Sequence, residues 1–233
     1  MTGGTRDRVD FWFDPLCGWT WLAARWLVEA AAVRPLEITW HPMGLSVLNG
    51  GLEEVPAERQ RLHEPAKRLA RVAAAVRERC GPEVVGPFYT ALGSRLHEPG
   101  GLFGPMRTAS DEELTDVRLA LLDRVGPVVD AALAEVGLPA DLVTAKDEPE
   151  WDDWLRASHE RVPAGRYRRR VVGAPTLSLN GGPAVWGPVV AEVVRGERAV
   201  RLWDAFRVLV AEEAFFELKR AVVRPSLREF PQG

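Results

Sequence analysis

The fold is decided by DFWFDPLCGWTW, residues 10–21, where a short apolar run meets a helical pattern. Residues 9–13 have the length and the aromatic content of a buried strand, and Asp14-Pro15 ends it. From Cys17 onward, apolar side chains recur every three or four residues, as on one face of a helix. Those side chains are Trp19, Leu22, Trp26, Ala30 and Val33. The stretch therefore predicts a strand, a turn that carries a cysteine, and a helix.

A second strand is expected directly after this helix. Pro35 stops the helical pattern, and Leu36, Ile38 and Trp40 then alternate with polar residues, which is the period of a half-buried strand. A helix of this length between two strands is typical of a parallel pair joined by a right-handed crossover. The first forty residues thus predict a strand–helix–strand unit.

The composition of the 233-residue chain is that of a globular protein, with 46% hydrophobic and 27% charged residues. The net charge of −3 argues against a general nucleic-acid binder. The chain has no apolar run of roughly 18 residues, so we expect no membrane span. Because the first ten residues lack the apolar core of a signal peptide, a cytoplasmic protein is expected.

The rest of the chain separates into a helical block and a returning sheet. Residues 56–161 have mostly helical periodicity, and Ser110 with Glu113 has the form of a capping box. Asn180-Gly181-Gly182 is a strong hairpin signal, and a last helix is expected from Glu197 to Arg220. The predicted α/β chain therefore has three parts: a strand–helix–strand unit at 1–55, a helical insertion at 56–161, and a loop, hairpin and helix at 162–233.

Cys17 lies at or just before the first turn of the predicted helix. Free N–H groups and the positive end of the helix dipole favour a thiolate there, and the thiolate is the nucleophilic form. Thr20 lies three residues on, over the same helical face, so its hydroxyl group is within reach of the sulfur. The alternative is a small apolar residue that closes the start of the helix.

A proline opens the returning sheet within Gly173-Ala174-Pro175-Thr176. Proline is tolerated at the start of a strand, where its missing N–H group matters least. In a thioredoxin-like sheet such a proline is cis and faces the thiol. The alternative is an ordinary trans proline at a strand edge, since only about 5% of X–Pro bonds are cis.

With these elements in place, the chain resembles the DsbA-like branch of the thioredoxin superfamily, and within it the mycothiol-dependent nitroreductase family. The similarity extends over nearly the full length, and the combined pattern is specific. It is carried by residues 10–17, Trp19, Arg25-Trp26, His41-Pro42-Met43, Leu48-Asn49, residues 89–93, Arg95-Leu96-His97, residues 173–176, Gly187-Pro188-Val189, residues 195–197, Leu202-Trp203-Asp204 and residues 215–220. The resemblance implies a thioredoxin-like α/β fold of the DsbA type with an all-helical insertion domain.

The active-site motif departs from the family pattern. The family typically has Cys-Pro-Trp-Cys, in which the first cysteine attacks and the second resolves mixed disulfides, whereas this chain has Cys17-Gly18-Trp19-Thr20. A hydroxyl group does not attack a disulfide usefully, because its pKa is far above that of a thiol. Two-cysteine cycling is therefore not available at this motif.

Three functions follow from this substitution. The first, which we predict, is a monothiol oxidoreductase in which Cys17 forms a mixed disulfide and mycothiol serves as the small thiol. Its substrates would be disulfides or small molecules such as nitroaromatic compounds. The alternatives are a kappa-class-like transferase or isomerase that binds a small thiol without redox cycling, and a non-catalytic descendant that binds a ligand.

The resemblance also implies the residues of the site. The catalytic candidates are Cys17, Thr20 and Pro175. The candidates for substrate binding are Trp19, Asn49, His97, Ala174 and Thr176. Ordinary structural roles compete with three of these: helix packing for Trp19, a turn for Asn49 and a helix C-terminal cap for His97.

Two further features have structural interpretations that are favoured over functional ones. Cys80 precedes Gly81-Pro82 at a helix end, and nothing in the sequence places it near Cys17 as a resolving thiol. The basic run at residues 166–170 is expected to be a solvated loop, and its alternative is an anion site beside the thiol.

Expected partners follow from the resemblance and from the absence of other motifs. Mycothiol is the expected co-substrate, a mycoredoxin-type reductase serves some family members, and a homodimer is compatible with the sequence. We expect no metal, flavin or nucleotide cofactor, because the sequence has no zinc spacing, no G-x-G-x-x-G after a strand and no Walker motif. Nucleic acid and membranes are not expected partners.

Overall fold

The computed structural model describes residues 6–50, 57–165, 173–215 and 217–221. The strands are β1 (Asp7–Phe13), β2 (Leu36–Pro42), β3 (Thr176–Leu179) and β4 (Val185–Trp186). The α-helices are α1 (Gly18–Ala31), α2 (Leu45–Leu48), α3 (Ala57–His63), α4 (Arg68–Cys80), α5 (Val85–His97), α6 (Leu114–Leu122), α7 (Val125–Glu135), α8 (Trp151–Glu160) and α9 (Gly196–Ala211). Short 3-10 helices lie at Pro65–Lys67, Pro82–Val84, Gly104–Arg107 and Ala140–Asp147.

The four strands of the described residues form one mixed sheet in the order β2-β1-β3-β4. β1 and β2 are parallel, β3 is antiparallel to β1, and β4 is antiparallel to β3. A βαβ unit followed by a ββα unit with this order and these directions is the thioredoxin fold. The predicted fold is therefore confirmed.

Alternation along β1 separates the two faces of the sheet. Val9, Phe11 and Phe13 belong to the main core, in which α1 and α9 also pack. Trp12 points to the other face, where its indole N–H donates to the carbonyl oxygen of Ser158 on α8 at 3.2 Å. Helices thus cover both faces, and β1 is the buried central strand.

The helices between β2 and β3 share one continuous core with the sheet. The cluster around Phe11 and Phe13 extends through α4, α5 and α7. A buried ion pair also joins α4 to α8, with Arg71 Nε at 2.8 Å from Asp152 Oδ1. The boundaries predicted between the three parts of the chain, at 55/56 and 161/162, remain a proposal. They are consistent with helices α3 to α8, which all lie within residues 57–160.

Two local signals are confirmed. Ser110 and Glu113 form the capping box, in which the Ser110 N–H donates to Glu113 Oε2 at 3.0 Å and the Glu113 N–H donates to Ser110 Oγ at 3.3 Å. The hairpin turn has positive φ at Asn180 (53°) and Gly181 (77°), the conformation that an Asn-Gly pair favours.

The predicted extent of the last helix is wrong. α9 ends at Ala211, whereas helical spacing predicted a helix to Arg220. Beyond Ala211 the described side chains are exposed, so a helix there would have no apolar surface to pack against. Val33, predicted on the buried face of α1, lies beyond the end of that helix and is also exposed.

Candidate active site

Cys17 is the N-cap residue of α1, at the carboxyl end of the central strand. Its backbone is extended (φ −85°, ψ 109°), and its carbonyl oxygen accepts a hydrogen bond from the Trp21 N–H at 3.1 Å. The turn from β1 is closed by the Cys17 N–H, which donates to the Asp14 carbonyl oxygen at 3.0 Å. The thiol is free and half-buried.

The loop that opens β3 faces this thiol. The Ala174–Pro175 peptide bond is cis, as predicted, and the Cys17 thiol donates to the Ala174 carbonyl oxygen over 4.0 Å. The loop is held by the Thr176 hydroxyl group, which donates to the Gly173 carbonyl oxygen at 2.9 Å. The Cys17 sulfur and the Ala174–Pro175 loop therefore meet at the end of the sheet where β1 ends and β3 begins.

The expectation of a lowered thiol pKa at Cys17 is wrong. Burial raises the pKa of the Cys17 thiol, and the negative charge of Asp14 raises it further. The helix terminus acts in the predicted direction, since the N–H groups of Trp19 and Thr20 lower the pKa. These contributions are smaller than the cost of removing a thiolate from water.

Asp14 lies beneath the thiol and organises the turn. Its side chain is 3% exposed, and its two oxygens accept hydrogen bonds from the N–H groups of Leu16 at 2.8 Å and Leu45 at 2.7 Å. Burial raises the pKa of this carboxyl to about 6, so it is largely ionised at neutral pH. Asp14 thus joins the Cys17 turn to the start of α2.

Thr20 lies close enough to Cys17 to act on its charge. The Thr20 side chain is fully buried, and its proximity lowers the pKa of the Cys17 thiol. The contact is not a well-formed hydrogen bond, because among the described residues Thr20 Oγ1 has no partner in standard geometry. The position next to the Cys17 sulfur is therefore occupied by a hydroxyl group.

His97 also reaches the Cys17 turn. Its Nε2–H donates to the Pro15 carbonyl oxygen at 2.8 Å, and its ring stacks against Trp21 with centroids 6.1 Å apart. Burial lowers the pKa of His97 to about 4, so the ring is neutral at pH 7. Since Nε2 carries the proton, His97 positions the turn that precedes Cys17.

The remaining predicted site residues lie at different distances from the thiol. Trp19 is half-buried in the first turn of α1, and Ala174 and Thr176 are buried in the facing loop. Asn49 is exposed at the end of α2, one turn beyond the Leu45 N–H that bonds Asp14. The structure thus brings these residues to the same end of the sheet, with Asn49 outermost.

Sequence reasoning missed two buried polar residues of this region, Asp14 and Tyr89. Asp14 had been read only as the end of a strand, although an acid directly after a buried strand and before a cysteine is a usable signal. Tyr89 is fully buried on α5, and its ring stacks on Phe13 with centroids 4.0 Å apart. Burial raises the pKa of Tyr89, and the nearby charges of Cys17 and Asp14 act in the same direction.

Comparison with protein families gives one decisive match. The family model described as "Rv2466c-like: Mycothiol-dependent nitroreductase Rv2466c" matches residues 16–220, a range that begins beside Cys17 and spans the cis-proline loop. The chain belongs to this family. Membership in the Rv2466c-like family places it among thiol-dependent oxidoreductases.

The chain is also similar to individual proteins. The uncharacterised protein Rv2286c of Mycobacterium tuberculosis is 32% identical over 215 residues, which are 91% of this chain and 81% of the relative. Among solved structures, DsbA from Xylella fastidiosa has a TM-score of 0.46 at 18% identity, with 86% of this chain and 84% of that chain covered. The reduced oxidoreductase DsbG from M. tuberculosis has a TM-score of 0.47 at 13% identity, with 91% and 89% covered. These structural likenesses are weak, and the fold assignment rests on strand order and direction.

Cys80 ends α4, away from the part of this helix that packs near the Cys17 turn. The α4 residue Ala70 packs beside Gly44, next to the Leu45 that bonds Asp14. Cys80 is ten residues further along α4, about 15 Å at the helical rise. Arg77, close to it, donates to the Trp40 carbonyl oxygen in the middle of β2 at 2.8 Å, so the helix runs away from the site. The favoured interpretation of a helix-end cysteine agrees with this placement.

Three further expectations from the sequence concern the basic run, metal ligands and membrane spans. The basic run at residues 166–170 lies outside the described residues. Within the described ranges, the carboxylate, imidazole and thiol groups are not clustered in threes that could hold a metal ion. In the same ranges, no helix is long and apolar enough to cross a bilayer.

Proposed function

We propose that the chain is a monothiol oxidoreductase that uses Cys17, with mycothiol as its small thiol, on disulfides or small molecules such as nitroaromatic compounds. The observation that carries this proposal is the placement of one free thiol at the start of α1, 4.0 Å from the Ala174 carbonyl oxygen of the cis-proline loop. Thr20 stands beside that thiol in place of a second cysteine, so the reaction must be completed by an external thiol.

For a disulfide substrate, the proposed cycle consists of two thiol–disulfide exchanges. The Cys17 thiol gives its proton to solvent, and the thiolate attacks one sulfur of an oxidised substrate; the substrate S–S bond breaks and its other half leaves as a thiolate. A mycothiol thiolate then attacks the mixed disulfide at the substrate sulfur, forms a new disulfide with it and releases the Cys17 thiolate. Each turnover therefore leaves Cys17 reduced.

The raised pKa of Cys17 determines how this cycle depends on pH. At rest the thiol is protonated, and Asp14 beside it carries a negative charge above its pKa of about 6. The N–H groups of Trp19 and Thr20 are the donors that stabilise the thiolate once it forms. We therefore expect reactivity to rise above neutral pH, instead of the fast alkylation below neutral pH that a lowered pKa would give.

Substrate contact is assigned in this proposal to the surface around Cys17. Trp19, Asn49, His97, Ala174 and Thr176 are the proposed lining residues, with His97 acting through its hydrogen bond to Pro15. A cytoplasmic location and a mycoredoxin-type reductase belong to the same proposal, because both fit a mycothiol-based cycle.

Intact-mass titration with oxidised mycothiol tests the proposal. The Cys80→Ala chain should gain the mass of one mycothiol, and the adduct should disappear with reduced mycothiol. Cys17→Ser in the same background should gain nothing. Tight binding of reduced mycothiol without an adduct would instead support the transferase or isomerase alternative. If reduced mycothiol does not bind and no adduct forms, the remaining alternative is a non-catalytic descendant that binds another ligand.

A further inference from the structure

Trp186 is a large aromatic side chain exposed beside the active-site loop. It ends β4, an edge strand, and its side chain is 59% exposed. In the sheet it is paired with Thr176, and the next residue, Gly187, donates its N–H to the Pro175 carbonyl oxygen at 2.9 Å. An exposed tryptophan is unusual on a soluble surface, since burial of its ring is strongly favourable.

The indole ring of Trp186 is seated on the backbone of the loop. A Cβ atom on Gly173 would lie 2.5 Å from the indole, so only glycine permits this contact. Gly173 precedes Ala174, whose carbonyl oxygen is 4.0 Å from the Cys17 sulfur. The residue under the ring is therefore the direct neighbour of the residue whose carbonyl oxygen faces the thiol.

We propose that Trp186 is a specificity-determining residue whose exposed ring stacks on a flat aromatic group of the molecule that Cys17 attacks. This inference rests on the proposed function and adds to it the residue that contacts an aromatic group of the substrate. The contact with Gly173 involves the Cε2, Nε1 and Cζ2 atoms of the indole, and more than half of the residue stays accessible. Offset stacking on an accessible ring is the interaction that indole offers to a planar partner.

The reaction that reports on this contact is a single thiol–disulfide exchange. The Cys17 thiolate attacks one sulfur of 4,4′-dithiodipyridine, the S–S bond breaks, and one pyridine-4-thiolate leaves as the mixed disulfide forms on Cys17. Bis(2-hydroxyethyl) disulfide undergoes the same exchange without an aromatic ring. The ratio of the two rate constants therefore isolates the contribution of stacking from the reactivity of the thiol.

The test compares variants of the full chain that carry Cys80→Ala. We expect Trp186→Leu to lower the rate constant for the aromatic disulfide about 3- to 10-fold and to leave the rate constant for the aliphatic disulfide unchanged. Trp186→Phe should react at rates close to those of the parent chain. Trp154→Leu is the matched control, because the Trp154 indole is engaged by Glu78 at 2.9 Å and by the Arg161 guanidinium group at 5.3 Å. That variant should leave the ratio unchanged.

An equal loss with both disulfides, or no loss with either, would overturn the proposal and leave Trp186 as a support for the loop. Binding of 4-nitrobenzyl alcohol to Cys17→Ser, followed by ligand-observed NMR, tests the contact without any reaction. Trp186→Leu should weaken this binding by a similar factor, and absence of binding in the parent would overturn the proposal. Failure of the mycothiol adduct alone would remove the proposed function and leave this binding result standing.

Discussion

At the residue scale, the chemistry of Cys17 is determined by the carboxylate beneath it as well as by the helix that follows it. The N–H groups of Trp19 and Thr20 favour the thiolate, whereas burial and the charge of Asp14 oppose it. Both Asp14 oxygens are engaged by backbone N–H groups, so the carboxylate is fixed in place. The reactivity of the thiol is therefore coupled to the structure of the turn.

Asp14→Asn should make Cys17 more reactive at lower pH. The Asp14 charge raises the pKa of the thiol, so its removal lowers that pKa and moves the midpoint of the alkylation profile down. The measurement is the iodoacetamide rate against pH in the Cys80→Ala background. Asp10→Asn is the control, because Asp10 lies four residues earlier, on β1, and its carboxylate contacts His41 Nε2 at 2.7 Å. A midpoint that stays or rises would contradict this assignment.

Thr20→Cys should convert the site into a two-cysteine centre. Thr20 is buried beside the attacking sulfur, so a thiol at that position is placed to resolve a mixed disulfide on Cys17. With oxidised mycothiol, the variant should lose two hydrogens and retain no mycothiol, by intact mass. Thr20→Ser, which keeps a hydroxyl group, should retain the adduct; a stable adduct on Thr20→Cys would show that the two positions do not communicate.

Much of this site could be predicted from sequence, and what was missed has a physical cause. The position of Cys17 at a helix start could be predicted from a local pattern, whereas the cis bond before Pro175 was expected only from the resemblance to the thioredoxin superfamily. The net pKa direction at Cys17 could not be found that way, because it depends on burial and on the charge of Asp14. Likewise, the hydrogen bond from His97 to Pro15 joins residues 82 positions apart, beyond the range of any local pattern.

At the element scale, the packing of α4 on α8 depends on a buried ionic cluster. Asp152 on α8 accepts hydrogen bonds from Arg71 at 2.8 Å and from Lys67 at 3.1 Å, and Glu64 contacts both cations. Arg71 is 2% exposed, so water does not screen the pair. Helical periodicity predicted these helices but not this contact, because its partners are 81 residues apart and both belong to residue types usually found at the surface.

Asp152→Ala should destabilise the chain by about 3–5 kcal/mol, since it leaves two buried cations without their shared carboxylate. Urea denaturation at pH 7 measures the change in the free energy of unfolding. Asp153→Ala is the matched control on the adjacent residue, whose side chain is 86% exposed and pairs with Arg156. That variant should change stability by less than about 1 kcal/mol. Equal losses in the two variants would argue against a special role for the buried cluster.

At the scale of the whole molecule, buried titratable groups with shifted pKa values contribute to the response to acid, among them His97, His159 and Asp14. His97 and His159 have pKa values lowered to about 4 by burial, and the His159 Nε2 accepts a hydrogen bond from the Gly44 N–H at 3.1 Å. Below about pH 6.5 these two histidines bind protons in the unfolded chain but stay neutral in the folded chain. The free energy of unfolding therefore falls as the pH is lowered towards 4. The pKa of the Asp14 carboxyl is raised to about 6, so this group has the opposite effect. Its protonation in the folded chain increases the free energy of unfolding as the pH falls from 6 towards 3.8.

His159→Gln should therefore lose less stability than the parent chain between pH 7 and pH 4.5, with a difference of roughly 2 kcal/mol. A glutamine amide oxygen can still accept from Gly44, and it does not titrate. Asp14→Asn should lose more than the parent over the same interval, because the compensating group is gone. Urea denaturation at both pH values gives the two differences, and equal slopes in all three chains would refute the assignment.

The overall topology could be predicted from the sequence because the sheet has few strands and their order is constrained by the connections between them. A strand–helix–strand start and a hairpin–helix end leave few ways to build one sheet. The extent of α9 was not within reach, because helical spacing continues past Ala211 while the packing surface does not. The common core of sheet and helices also depends on contacts that periodicity does not specify.

The separation of the two cysteines, by ten residues of α4 beyond the part that packs near the Cys17 turn, determines the fate of this chain under peroxide. A sulfenic acid formed on Cys17 has no internal thiol with which to condense, so only another molecule can trap it. Oxidised material should accordingly migrate on a non-reducing gel as monomer and as covalently joined pairs, without a faster, internally looped band. Repair would then depend on the concentration of outside thiols and not on the rate at which the chain rearranges.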